Sequence, residues 1–349
     1  MKGYEPAYKE FRDSAVIFPE GGGVGTTVEI PDLRIDGIVG SGANGIVFSG
    51  VDSLDRDLVI KVYPPRLDKP DRDIDEVHQQ ALSEAQKIAS LKHPAIATVY
   101  KYGRLGQNES YGWLSDGGWP YCVMEMRPGK PLKEVLPQIR DNIEARRQIL
   151  RQIFDALTYA EGRGSLHGDL HERNVLVYTP RLGSDLEQLE VSVIDFGTSI
   201  FAGRVNSEVR HAHLLRRLTF RLLPELQTAF VPTSRLAGRT GRHVLPRLIA
   251  ALKLYDEINP SQECPPKLTP RSIGAELAYA IDFDLDVLWT ALRPHLAESD
   301  ISEVKMGLLE YLTHDHDLAA TRPSDADLAV RLRRELEIQG VEATAILAT

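Results

Sequence analysis

Leu166-His167-Gly168-Asp169-Leu170-His171-Glu172-Arg173-Asn174 runs straight into the apolar Val175-Leu176-Val177, and Val193-Ile194-Asp195-Phe196-Gly197 follows. The first stretch is a polar loop holding a carboxylate and an amide between an apolar helical pattern and a strand-like run. In such a loop Asp169 can accept or orient a hydroxyl proton, and Asn174 can offer an oxygen to a metal. The plain alternative is a helix-to-strand turn with capping polar residues. The second stretch weighs against that alternative. Asp195 ends a buried strand, with a small flexible residue two places on, and is placed to hold Mg²⁺ against phosphates. One Asp-Phe-Gly tripeptide alone is close to noise, so order and spacing carry the signal.

Upstream, Gly40-Ser41-Gly42-Ala43-Asn44-Gly45-Ile46-Val47 sits between two strand-like runs. Glycines there permit a tight turn and let backbone N–H groups approach phosphate oxygens. The dinucleotide fingerprint shares this spacing but must open a helix, whereas Ile46-Val47-Phe48 reads as a strand. Leu58-Val59-Ile60-Lys61 then points a lysine inward from a strand. A buried ammonium needs an anionic partner, and Glu84 on the following helical pattern is the best candidate. The alternative for Lys61 is a side chain that snorkels to solvent.

Five short runs, 33–39, 46–51, 58–63, 97–102 and 121–126, read as strands, and 74–91 as a helix ended by His93-Pro94. Residues 106–120 read as a loop, and Gly21-Gly22-Gly23-Val24-Gly25-Thr26-Thr27 as a linker, since it lacks the Gly-Lys-Ser/Thr ending of a phosphate loop. Beyond Pro128-Gly129 the pattern turns helical, with 143–160, 209–223, 245–255, 273–292 and 301–312 as helices and 175–178 and 191–194 as a small strand pair. The plan is bilobal α+β: an N-terminal extension 1–32, a lobe 33–127 with five antiparallel strands and one helix, and a mostly helical lobe 128–349.

In order and spacing together, these motifs resemble the protein-kinase-like superfamily over roughly residues 33–201. The resemblance implies Mg²⁺ and ATP as cofactors. It implies that Gly40, Gly42 and Gly45 cover the phosphates, that Val47 also binds the cofactor, that Lys61 pairs with Glu84 and holds the α and β phosphates, and that Met124-Glu125-Met126 receives adenine, with Glu125 and Met126 as hinge contacts. It further makes Asp169 the catalytic base and Asn174 and Asp195 the metal ligands.

Three departures concern the acceptor. Gly168 stands where arginine usually precedes the catalytic aspartate, which argues against control through a phosphorylated activation loop. His171 replaces the lysine of protein-serine/threonine kinases, in wording similar to aminoglycoside and choline phosphotransferases. No Ala-Pro-Glu segment follows at ordinary spacing, since Leu223-Pro224-Glu225 ends a predicted helix, on which His211 falls where the family has a structural aspartate. His211-Ala212-His213 and His314-Asp315-His316-Asp317 are read as surface or helix-terminal residues, because His-x-His on a helix does not bring both rings to one side. Arg210, Arg216, Arg217 and Arg221 form a basic cluster, read as a solvated face with an anionic acceptor as the alternative.

The bulk numbers fit a soluble enzyme: 42% hydrophobic and 26% charged residues in 349, with a formal charge of −9 that disfavours nucleic acid and anionic membranes. Two cysteines, Cys122 and Cys264, give no disulfide framework, and no apolar run approaches the roughly 20 residues of a membrane span, so a reducing, cytoplasmic location is expected. The expected activity is ATP-dependent phosphotransfer, with a serine/threonine hydroxyl of a protein as favoured acceptor because the first lobe matches protein kinases. A small hydroxylated metabolite is the alternative, and a nucleotide-binding scaffold the remote one.

Overall fold

Apolar residues that alternate over 33–62 are those of strands packed on one face, and in a computed structural model of the chain they pair as a β-hairpin and its neighbour. Described here are residues 32–42, 45–63, 74–104, 120–179, 189–196, 204–229, 244–261, 265, 267–280, 285–314 and 323–339. The Gly21–Thr27 linker and most of the expected 106–120 loop lie outside them.

The chain divides into two units. The first comprises Met1–Leu132, Asp155–Asp169 and Arg173–Ser207. Its main sheet contains β1 (Leu33–Gly42), β2 (Gly45–Asp52), β3 (Asp57–Val62), β4 (Val99–Arg104) and β5 (Pro120–Glu125) in the order β1-β2-β3-β5-β4, each pair antiparallel. The ladder of β1 and β2 continues to Gly42 opposite Gly45, so the glycine-rich stretch is the end of the hairpin itself. Helix α1 (Ile74–Ala89) packs Ala81 and Ala85 with Tyr63 and Cys122, and Val99, Tyr102 and Met124 close around them. Burial pushes the Tyr102 hydroxyl up to about 12, against the opposing pull of Arg104. A second antiparallel sheet joins β6 (Lys130–Pro131), β7 (Val175–Tyr178) and β8 (Glu190–Val193) in that order.

The second unit comprises Lys133–Phe154, Leu170–Glu172 and Glu208–Thr349. Helices α2 (Leu132–Val135) and α3 (Ile143–Glu161) precede the β7–β8 pair in the chain. After it come α4 (Arg204–Leu222), α5 (Pro224–Ala229), α6 (Val244–Ile258), α7 (Pro270–Tyr279), α8 (Leu285–Leu292), α9 (Asp300–His314) and α10 (Pro323–Ile338). Among the described residues no helix is long and apolar enough to cross a membrane.

Two expectations need correction. The single helix expected over 273–292 is two, because Ala280 leaves helical geometry at ψ 41° and its N–H closes on the Glu276 carbonyl. His211 is not a surface residue: it is 3% exposed, because it shares the arc of α4 that buries Leu215, Leu218 and Leu222. His213 is exposed as expected, and of the second cluster only His314 falls within the described residues.

Buried cations are compensated within the second unit. Arg146 donates to the Leu222 carbonyl at 2.9 Å and to both oxygens of Glu225 at 2.7 and 3.1 Å, fixing the start of α5 to α3. Burial raises the Glu225 carboxyl, but its hydrogen bonds and the Arg146 charge outweigh this and hold it below the usual carboxylate value.

The crossing of α7 and α9 depends on paired glycines. A Cβ on Gly274 would stand 2.1 Å from the Val304 carbonyl oxygen, and one on Gly307 2.1 Å from that of Arg271. Gly307→Ala gains about 1 kcal/mol in helix propensity, yet it must push two backbones apart, and overpacking of this kind costs about 1–3 kcal/mol. A net loss of stability is therefore expected, read as a lower thermal unfolding midpoint.

Candidate functional site

Alternation along β3 places Ile60 and Val62 on one face and Lys61 on the other, yet Lys61 is only 4% exposed. An ammonium so placed must be paired. Its Nζ donates to Oδ1 of Asp195, and it lies 5.2 Å from the centroid of the Tyr63 ring. Across the ladders Lys61 faces Val47 on β2 and Cys122 on β5, so the hairpin residue Val47 is its immediate neighbour. The described ion pair of Lys61 is thus with Asp195. Glu84, the partner expected from sequence, lies on α1, and its side chain is outside what is described.

Asp195 follows β8 with φ 64°, in the left-handed region that glycine, asparagine and aspartate enter more readily than other residues. Its neighbours hold it there. The Ile194 N–H donates to the Asn174 carbonyl at 2.9 Å, and the Ile194 carbonyl accepts from Nε2 of His167 at 2.8 Å. The strand before it is fixed by the Val193 N–H, which donates to Ala95 at 2.7 Å, and by the Ile96–Val193 bridge.

The loop before β7 joins the same arrangement. Nδ1 of His167 accepts from the Asp169 N–H at 3.3 Å, and the amide nitrogen of Asn174 donates to the Asp169 carbonyl at 3.0 Å. With Nδ1 accepting, Nε2 carries the ring proton that it donates to Ile194. His167 is fully buried, and its ring lies 4.6 Å from that of Phe196. One imidazole therefore positions both aspartate segments. The sequence reading assigned it no role, although a histidine two residues before the loop carboxylate was the available signal.

Gly168 has φ 72° and is buried. The missing arginine thus has a conformational consequence: glycine adopts this backbone freely, and L side chains do not. Gly168→Arg is expected to destabilise the protein by at least about 1 kcal/mol, with Gly168→Asn milder, as read by chemical denaturation.

At the end of β5 the Glu125 N–H donates to the Thr98 carbonyl at 2.8 Å, and its carboxylate accepts from the Thr98 N–H and from Arg127, both at 3.1 Å. Arg127 also donates to the Ile96 carbonyl at 2.9 Å, linking the end of β5 to the segment that braces β8. The Glu125 side chain is therefore committed inside the fold. The Met126 N–H makes a long contact of 3.4 Å to Asp57.

Lys61, Val47, Asp169, Asn174 and Asp195 all belong to the first unit, as do Gly40, Gly42, Gly45, Glu125 and Met126. Ala43, Asn44 and Gly197 lie outside the described residues. Among the described residues no three His, Cys, Asp or Glu side chains cluster as a metal cage.

The family of the protein kinase domain matches residues 33–215, just over half of the chain. The serine/threonine-protein kinase PknA of Mycobacterium tuberculosis is 30% identical over 166 residues, 47% of this chain and 34% of that protein. The serine/threonine-protein kinase pkn3 of Myxococcus xanthus is 29% identical over 176 residues, 50% of this chain and 29% of that one. The match thus spans about a third of the length of these curated relatives. Among solved structures, Rad53 1-466 in complex with AMP-PNP aligns at 18% identity and a TM-score of 0.39, over 63% of this chain and 60% of that one.

Proposed function

Because the chain belongs to the protein kinase domain family, we propose that it is a serine/threonine protein kinase, transferring the γ-phosphoryl group of Mg·ATP to a protein hydroxyl. The observation that carries this reading is the Lys61–Asp195 ion pair beside a loop in which Asp169 and Asn174 are tied together. A fixed cation and a fixed carboxylate in contact are what a triphosphate and its metal need on their two sides.

The donor residues fit that role. Asp195 and the amide oxygen of Asn174 would hold Mg²⁺, since the Asn174 nitrogen is already used on Asp169. The metal, when bound, supplies positive charge that neutralises the phosphate oxygens during transfer. Lys61 binds phosphate oxygens and is kept in place by its neighbours on β2 and β5, with Glu84 as its second carboxylate partner. Gly40, Gly42 and Gly45 bring backbone N–H groups over the phosphates. Because the Glu125 side chain is engaged by Thr98 and Arg127, the adenine contact falls to backbone groups at Glu125 and Met126. The Asp169 carboxylate orients the acceptor hydroxyl and takes its proton as the new P–O bond forms and the bond from the γ-phosphorus to the β,γ-bridging oxygen breaks, with ADP as the leaving group.

A metabolite acceptor is the second reading, favoured by His171 and by the seven residues, 197–203, between Phe196 and α4. Incubation with γ-labelled ATP, protein acceptors and a panel of hydroxylated metabolites separates the two. Label on serine or threonine of protein is expected; label on metabolites alone would overturn the protein-kinase reading.

A further inference from the structure

Helix α4 is divided lengthwise. Ala212, Leu215, Leu218 and Leu222 are buried, while Arg210, His213, Arg217 and Arg221 are exposed. At 3.6 residues per turn these four fall within about 80° of arc, opposite the buried stripe. The helix carries five arginines and one glutamate in a chain of net charge −9, so this stripe runs against the overall composition. Like charges four apart, as at Arg217 and Arg221, each cost an isolated helix about 0.2–0.5 kcal/mol. Within α4 the sequence places no carboxylate three or four residues from Arg217.

One end of the stripe is held by an ion pair. Arg221 pairs with Glu172 at 2.7 Å, and the Glu172 carbonyl accepts from the Lys133 N–H at 3.0 Å. Glu172 stands three residues after Asp169 in the chain.

We propose that this stripe docks an acidic segment of the protein acceptor, a substrate class that rests on the phosphotransfer reading above. The spacing specifies the segment. Residues four apart on a helix rise about 6 Å, close to the span of about 6.6 Å between alternate residues of an extended peptide. An extended acceptor segment with Asp or Glu at alternate positions matches Arg217 and His213, with Arg210 three residues further along, a rise of about 4.5 Å. Charge complementarity of this kind sets partner choice and salt dependence.

The test uses the full chain and two fluorescein-labelled peptides, each with one serine, flanked by alternating glutamates in one and glutamines in the other. Anisotropy reads binding, and γ-labelled ATP reads transfer to the same peptides. The wild type is expected to bind the glutamate peptide at least about tenfold tighter at low salt, with the preference lost in Arg217→Glu and largely kept in Arg217→Lys. Equal binding of both peptides by the wild type, or a preference that survives Arg217→Glu, would overturn the docking assignment. Acidic preference without transfer supports the stripe and counts against phosphotransfer alone.

Discussion

Replacing Asp195 with asparagine is expected to lower phosphotransfer by at least about 10²-fold while the protein still folds, since charge placed for the transition state is among the largest catalytic terms. Asparagine tolerates the left-handed backbone that Asp195 adopts at φ 64°. It also preserves the bonds of Ile194 to Asn174 and His167, which are backbone bonds on the Ile194 side. What disappears is the negative charge opposite Lys61. Removing one member of a fully buried pair costs about 3–5 kcal/mol. Here the loss should be well below that range, because the Asp195 side chain is 31% exposed and asparagine still offers an oxygen. Asp195→Ala should be the less stable variant, as it adds backbone strain to the same lost charge. Thermal unfolding and initial rates measured together check both statements.

Asp169→Asn should separate binding from turnover. The bonds that hold Asp169 to His167 and Asn174 are made by its backbone N–H and carbonyl, so asparagine keeps them. It loses the ionised carboxylate, the group proposed to take the hydroxyl proton. Loss of a general base costs about 10²–10⁴ in rate. ATP affinity is expected to stay within about twofold of the wild type, since no phosphate or metal contact is assigned to this carboxylate. A variant that turned over at the wild-type rate would remove Asp169 from the mechanism.

Much of this was legible in the sequence because it is local. The alternation over 58–62 marked β3 and turned Lys61 inward, and the polar loop between helical and strand patterns marked Asp169 and Asn174. The strand pair over 175–178 and 191–194 emerged as β7 and β8, displaced by one residue in the second. What was not legible depends on contacts between distant segments. No periodicity indicates that Lys61 meets Asp195, that His167 braces two aspartate segments, or that Ala95 and Ile96 hold β8. Backbone conformation was equally hidden: the glycine at 168 read as a missing arginine, whereas its φ of 72° makes it a backbone requirement. His211 misled because adjacent polar residues suggest a surface, although its position on α4 shares the arc of Leu215 and Leu218.

In the proposed donor site Lys61 and Asp195 together receive a triphosphate and its metal. Calorimetric titration of ATP into the wild type and Lys61→Met, each with and without Mg²⁺, tests this most directly. Saturable binding that Mg²⁺ strengthens in the wild type, and that weakens at least about tenfold in Lys61→Met, is the predicted result. ATP binding that ignores Mg²⁺, or that is equal in the two proteins, would contradict it.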